Sequence, residues 1–223
     1  MLGEVLARRG RLDEAITALV PPAPQDLDES ELAALKDART RWETRRAELE
    51  RLEADARRDD VAAETLLSLA EIRLATGDSE GAAALAQRAE PRVQGAAGLR
   101  RAALLLGRAG RPSEGADLLS RLGAEMSPTD LINLGVLLEE SGDPERAADA
   151  FRRGLAAGGP AADAHAGLAR VALARGDRAQ VVKELGLYLE SSPPAELAAR
   201  AKEALGRLEP VAAPRPGGAG TRP

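Results

Sequence analysis

Residues Leu131–Phe151 read LINLGVLLEESGDPERAADAF. Leu131, Leu134 and Gly135 lie three and four apart, the spacing of one face of an α-helix. Gly142 ends that helix. Asp143-Pro144 opens a second one, because Asp caps a helix N-terminus and Pro is pre-set for the first turn. Ala147, Phe151 and Gly154 then alternate small and large on the inner side, with Ala147 expected opposite Gly135 and Phe151 filling the gap beyond. The stretch predicts two antiparallel helices joined by a tight turn. Similar turns recur at Gly10, Gly77, Gly110, Gly142 and Gly176, the last four separated by 33, 32 and 34 residues. A fixed period of this size predicts a solenoid, in which each unit buries its apolar face only against its neighbours.

Outward from this stretch, four hairpins fill residues 61–193: 61–76 with 79–90, 96–109 with 112–122, 128–141 with 144–156, and 161–175 with 178–190. Residues 194–208, PAELAARAKEALGRL, predict a capping helix after Pro193-Pro194, with Lys202 and Arg207 on its polar side. Residues 209–223 hold Pro and Gly without apolar periodicity and read as a disordered tail. At the other end, residues 1–20 read as the later part of one more hairpin. Residues 21–60 begin with the linker PPAPQDL. A charged helix follows over 28–59, opened by Asp28 with Glu31 in a capping-box spacing and roughly 46 Å long. Leu35, Trp42, Leu49 and Ala56 recur in it every seven residues, and Asp37–Arg41 and Glu53–Arg57 are spaced to pair. Two readings of this helix stay open: packing along the edge of the array, or a coiled-coil contact with another chain.

Composition narrows the function. Hydrophobic residues make up 44%, aromatic residues 1%, and the formal net charge is −5. A negative balance and few aromatic rings argue against a nucleic-acid partner, which needs a clustered positive field and stacking platforms. Nearly all positive charge is arginine, a compositional hint of a GC-rich bacterial genome. There is no cysteine, which excludes disulfides, thiol catalysis and thiolate metal sites. No signal segment opens the chain, and apolar runs such as AALLL at 102–106 are too short to cross a bilayer. The expected location is cytoplasmic, or periplasmic if the true N-terminus lies upstream of Met1.

The hairpin at 131–151, its Gly-Asp turn and the four-unit spacing together resemble the tetratricopeptide repeat (TPR) family. The resemblance covers most of 61–193 and part of 1–20. It implies an all-α, TPR-like helical-hairpin solenoid, a right-handed superhelix, with one long non-repeat helix near the N-terminus. It also implies a concave surface lined by the first helix of each hairpin. Matched to that pattern, the lining includes Glu64, Leu67, Glu71 and Leu74; Arg100, Leu104 and Arg108; Ile132, Val136, Glu139 and Glu140; and Asp163, Ala166, Arg170 and Leu173. Ile132 and Val136 stand one turn apart as the expected apolar anchors of a peptide ligand. The carboxylate clamp of chaperone-associated family members is incomplete, since Asn133 occupies one of its places but Leu104 and Asp163 occupy others.

Nothing in the sequence supports catalysis or a cofactor. His165 is the single histidine and cannot build a histidine-rich metal site or a catalytic triad without partners. It falls where the family places an aromatic side chain, which implies a packing role. The expectation is a non-catalytic scaffold for a protein or peptide partner, without nucleic acid and without membrane insertion. Two alternatives remain: a regulatory or substrate-recruiting region of a larger enzyme, and a homo-oligomer joined through the N-terminal edge or the helix 28–59.

Overall fold

The computed structural model describes residues 29–208. The partial hairpin 1–20, the linker, the tail 209–223 and the expected cap at Asp28 lie outside the described residues, as do the side chains of Leu35 and Trp42. Among the described residues there are ten α-helices and no strand. They are α1 (Glu29–Ala56), α2 (Ala63–Ala75), α3 (Ser79–Ala89), α4 (Gly95–Arg108), α5 (Pro112–Ser120), α6 (Pro128–Glu140), α7 (Pro144–Ala156), α8 (Ala161–Ala174), α9 (Arg178–Glu190) and α10 (Ala195–Leu208). They fall into two compact units, Met1–Met126 and Ser127–Pro223. The boundary cuts the stretch 61–193 between its second and third hairpins.

One turn is built four times. Gly77, Gly110, Gly142 and Gly176 take φ of 86°, 80°, 85° and 71°, a left-handed conformation that costs an L side chain about 1–2 kcal/mol. Each glycine N–H donates three residues back, as Gly142 does to the Glu139 carbonyl at 3.1 Å. The next residue donates five back, as Asp143 does to Leu138 at 2.9 Å. This paired bonding satisfies the last carbonyls of the first helix. Asp78, Asp143 and Asp177 then cap the second helix, accepting from Gly81, Arg146 and Gln180 at 2.9, 3.1 and 3.0 Å. Arg111 stands at the equivalent place in the second hairpin, where no side chain caps α5.

In the first unit, α2 packs with α3 and α4 with α5, and the two hairpins stack. Their core is small-residue packing: Ala70, Ala82, Ala86, Ala89, Ala102 and Ala103 are fully buried, with Leu66, Leu67, Leu106 and Leu119 between them. Among the described side chains of α1, buried Ala56 and half-buried Leu49 and Leu52 join this core. Its described side chains from Ser30 to Glu48 are exposed. Glu53 pairs with Arg73 of α2 at 2.6 Å rather than with Arg57. Ion pairs along the helix include Arg46–Glu50 and Arg51–Asp55. Arg88 of α3 donates to the carbonyls of Ala56 and Arg58, and Arg92 to that of Asp59. These bonds satisfy carbonyl groups left over where α1 ends.

In the second unit, Ser127 and Asp130 form a reciprocal capping box on α6, the Ser127 N–H donating to Asp130 at 2.7 Å and the Asp130 N–H to the Ser127 hydroxyl at 3.1 Å. Phe151 of α7 is fully buried. A Cβ built on Gly135 of α6 would lie 2.6 Å from its ring, and one on Gly167 of α8 would lie 2.4 Å from it. The ring therefore lies between two glycines, one in its own hairpin and one in the next. The side chain nearest the open side of Gly135 is Phe151, which fills the space as expected. Beyond it, α8 packs with α9, and α10 lies against α9.

Candidate partner-binding faces

The residues expected to line a binding surface share a register. Counted back from each turn glycine, most of them occupy the tenth, sixth and third positions of the first helix, which lie on one helical face, while Glu64 and Asp163 stand at the thirteenth and Arg108 and Glu140 at the second. The structure separates them by depth. At the tenth position Leu67 and Ile132 are 1% and 3% exposed. A Cβ on Gly154 of α7 would come within 2.4 Å of Ile132 Cδ1, so the side chain of Ile132 fills the space that this glycine leaves open. Ile132 and Leu67 are core residues, and Ile132 is corrected from its role as anchor. Val136 and Leu74 are half-buried. Leu104 and Leu173 are 37% and 64% exposed. Leu67 and Ile132 close the face at the tenth position of α2 and α6, whereas Arg100 and Ala166 are only half-buried there.

The charges on the face engage one another. In the first unit Arg101, which the register had not singled out, reaches across the hairpin stack to Glu71 at 2.8 and 2.9 Å, to the Ser68 hydroxyl at 3.1 Å and to Glu64. These hydrogen bonds hold the Glu71 carboxyl below the usual carboxylate range against the opposing effect of its partial burial, and they raise Arg101. Arg100 points elsewhere, donating to the Glu125 carbonyl at 3.0 Å. Arg108 is exposed at the end of α4, where a cation suits the helix dipole.

In the second unit Arg170 donates two parallel hydrogen bonds to Glu139, both 2.7 Å. Two expected ligand contacts thus bind each other, in the geometry that favours arginine over lysine. Arg170 is raised, first by this hydrogen bonding and further by the nearby charges of Glu139, Glu140 and Asp163. Glu140 is exposed and makes no ion pair among the described residues. It stands with Glu139 in the last turn of α6, which carries no basic residue there. A carboxylate at a helix C-terminus is disfavoured by about 0.3–1 kcal/mol.

His165 is largely buried, and beside the packing role that the resemblance implied it makes a polar contact. Its Nδ1 lies 2.7 Å from Glu184, whose other oxygen accepts from Gln180 at 2.6 Å. Glu184 is 4% exposed, so His165 and Gln180 together satisfy a buried carboxylate. It ties α8 to α9. The sequence signal, a His and a Glu on facing helices, has no distinctive spacing. Among the described residues no cluster of His, Asp or Glu could hold a metal ion, and no helix is long and apolar enough to cross a membrane.

A family model described as tetratricopeptide repeat matches residues 1–20, 63–88, 131–153 and 162–182, leaving the hairpin α4–α5 unmatched. No curated protein matches the chain. Among solved structures, the chain is similar to a tetratricopeptide repeat protein from Parabacteroides merdae ATCC 43184, with 16% identity over 93% of this chain and 81% of that one and a TM-score of 0.49. It is also similar to BtubC (BKLC) from P. vanneervenii, with 21% identity over 96% of this chain and 89% of that one and a TM-score of 0.44. The matched segments among the described residues are helical pairs turned by a left-handed glycine, and in them the chain carries tetratricopeptide repeats.

Proposed function

We propose that this protein is a non-catalytic scaffold that binds a peptide or helix of a protein partner on its first-helix faces. Repeats of this family generally mediate protein–protein interaction. The observation that carries the reading is the exposure of Leu104 and Leu173, 37% and 64%, on helices whose other leucines are largely buried. Apolar side chains set among hydrogen-bonded charges supply both the affinity and the orientation that a groove ligand needs. The test is affinity capture from the native host with the protein and with Leu104→Glu and Leu173→Glu variants. Both changes lie on the surface, so the variants stay folded by circular dichroism. Loss of the same captured partner in either variant is expected. Capture unchanged in both overturns the reading. A substitution at Ile132 would not serve, because it would disrupt the packing over Gly154.

One observation favours a second contact. The described side chains of α1 from Ser30 to Glu48 are exposed, and Leu35 and Trp42 recur seven residues apart along that helix in the sequence. Pairing of α1 between two copies would cover them. Light scattering over a concentration series is expected to show a dimer, and a monomer throughout removes this reading.

A further inference from the structure

The link between the last hairpin and its capping helix is built against its own local preferences. Among the described residues, Ser192 is the one non-glycine residue in the left-handed region, with φ of 57°. It stands 34 residues after Gly158, which makes the same turn after α7 with φ of 80°. Two hydrogen bonds hold the turn at Gly158. Its N–H donates to the Leu155 carbonyl and the Gly159 N–H to that of Gly154, both at 2.9 Å. At Ser192 the first bond is stretched to 3.4 Å, to the Leu189 carbonyl. The second has no donor, because the next residue is Pro193. A residue before proline is also pushed away from helical conformations and toward extended ones. Ser192 therefore holds a conformation that glycine accepts freely and serine does not, with one of its two supporting bonds missing.

Packing is what keeps the turn closed. α10 lies against α9. Ala201 of α10 is buried, and Ala198, Ala204, Leu205 and Leu208 are half-buried. On α9, Val182, Leu185 and Leu189 are spaced three and four apart and half-buried, in a row beside the buried Val181, Glu184 and Tyr188. Arg178, at the start of α9, donates to the Leu208 carbonyl at the end of α10. None of these contacts depends on α9 and α10 belonging to the same chain.

We propose that α10 is an exchangeable cap whose second partner is another copy of this chain. When Ser192 passes to the extended conformation that Pro193 favours, α10 leaves its own α9 and takes the equivalent seat on the second copy, which gives its own α10 in exchange. The α9–α10 contacts are remade between chains, and the backbone strain is relieved at both hinges. A short hinge under strain is the feature that favours exchange of a terminal element. This contact lies at the C-terminal end of the repeats and is independent of α1.

The test adds a fluorescent synthetic peptide of residues 193–208 to the full chain and reads anisotropy at equilibrium. The peptide competes with the tethered α10 for its seat, so its apparent affinity follows the fraction of chains that are open. It is expected to bind the parent, and to bind Ser192→Gly about tenfold more weakly, because the closed turn is then unstrained. Ser192→Val, whose branched side chain resists the left-handed region, is expected to bind it more tightly than the parent. The same peptide carrying Ala201→Glu is expected not to bind. In light scattering, a concentration-dependent dimer should strengthen in the order Ser192→Gly, parent, Ser192→Val, and excess peptide should return it to monomer. Residue 192 lies between helices, so all three chains are expected to keep their helix content by circular dichroism. A peptide that fails to bind even Ser192→Val overturns the exchange. So does equal binding to all three chains, or undiminished binding of the Ala201→Glu peptide. A dimer of equal strength in all three, insensitive to the peptide, also overturns it and leaves α1 as the contact.

Discussion

The two units share a turn and differ in what fills the space beneath it. In α2–α5 the positions seven residues before the turn glycine are Ala70 and Ala103, both fully buried, and the core is made of alanine methyls and leucines. In the second unit the same position in its first hairpin is Gly135, and Phe151 lies where the methyl would be, reaching on to Gly167 of the next hairpin. The first arrangement spreads apolar contact over many small groups. The second sets one ring of α7 against two neighbouring helices, among other buried apolar residues. A core of the first kind loses little at any one site, whereas a core of the second kind depends on a single residue. The units differ again in electrostatics: Arg101 neutralises two carboxylates in the first, while Arg170 neutralises one of three in the second.

The strongest way to break this comparison is Phe151→Ala. Removing the ring is expected to cost about 3–5 kcal/mol and to unfold the second unit first. Hydrogen exchange resolved by segment checks this: protection should fall across 127–208 and persist in 63–120. Equal loss in both would mean that they unfold as one cooperative body. Next come the glycine positions. Gly135→Ala and Gly167→Ala place a methyl inside the ring's space and are expected to cost about 1–3 kcal/mol each by overpacking. In chemical denaturation, either alanine combined with Phe151→Leu should cost less than the sum of the single changes, because the smaller side chain makes room. Ala103→Gly, the reverse exchange in the first unit, should also destabilise, by about 1 kcal/mol through helix propensity and a lost methyl. A stabilising Ala103→Gly would show that the two positions are not equivalent.

The turns themselves should respond alike in both units. Gly110→Ala and Gly142→Ala each force a left-handed alanine, and each is expected to cost about 1–2 kcal/mol in thermal melts. The smallest effect concerns Glu71. Its carboxyl titrates lower when folded than when unfolded, so its contribution is present above the unfolded value, near pH 4.5, and is lost as pH falls through the folded one. Because its side chain is 46% exposed, screening limits the effect to less than about 1 kcal/mol. Denaturation of Glu71→Gln and the parent from about pH 6 to about pH 3 should show a gap that closes on acidification. A gap that widens in acid would reverse the assignment.

Much of the fold was legible in the residues because its determinants are close in sequence. Gly142, Asp143 and Pro144 each act within about one helical turn, and the same logic places every turn. The face made by the sixth and third positions before the turn was likewise readable from register. Its depth was not. Ile132 and Leu173 are both apolar residues on the predicted face, yet one is covered by helix α7 at Gly154 and the other by nothing in its unit. Charge pairing was read poorly for the same reason. Glu53 looks toward Arg57 in sequence but bonds Arg73 in space. His165 gave no sign that Glu184 waits on the facing helix.

What the sequence by itself determined is therefore local: helices, their caps and left-handed turns, and a repeat family recognisable from the spacing of small residues. Tertiary structure decided which face residues are exposed and which are core, and which charges are paired. Those properties depend on contacts between residues some thirty apart, such as Arg170 with Glu139 and Arg101 with Glu71. Such contacts are set by how closely one hairpin approaches the next, and therefore by the volume of the side chains between them.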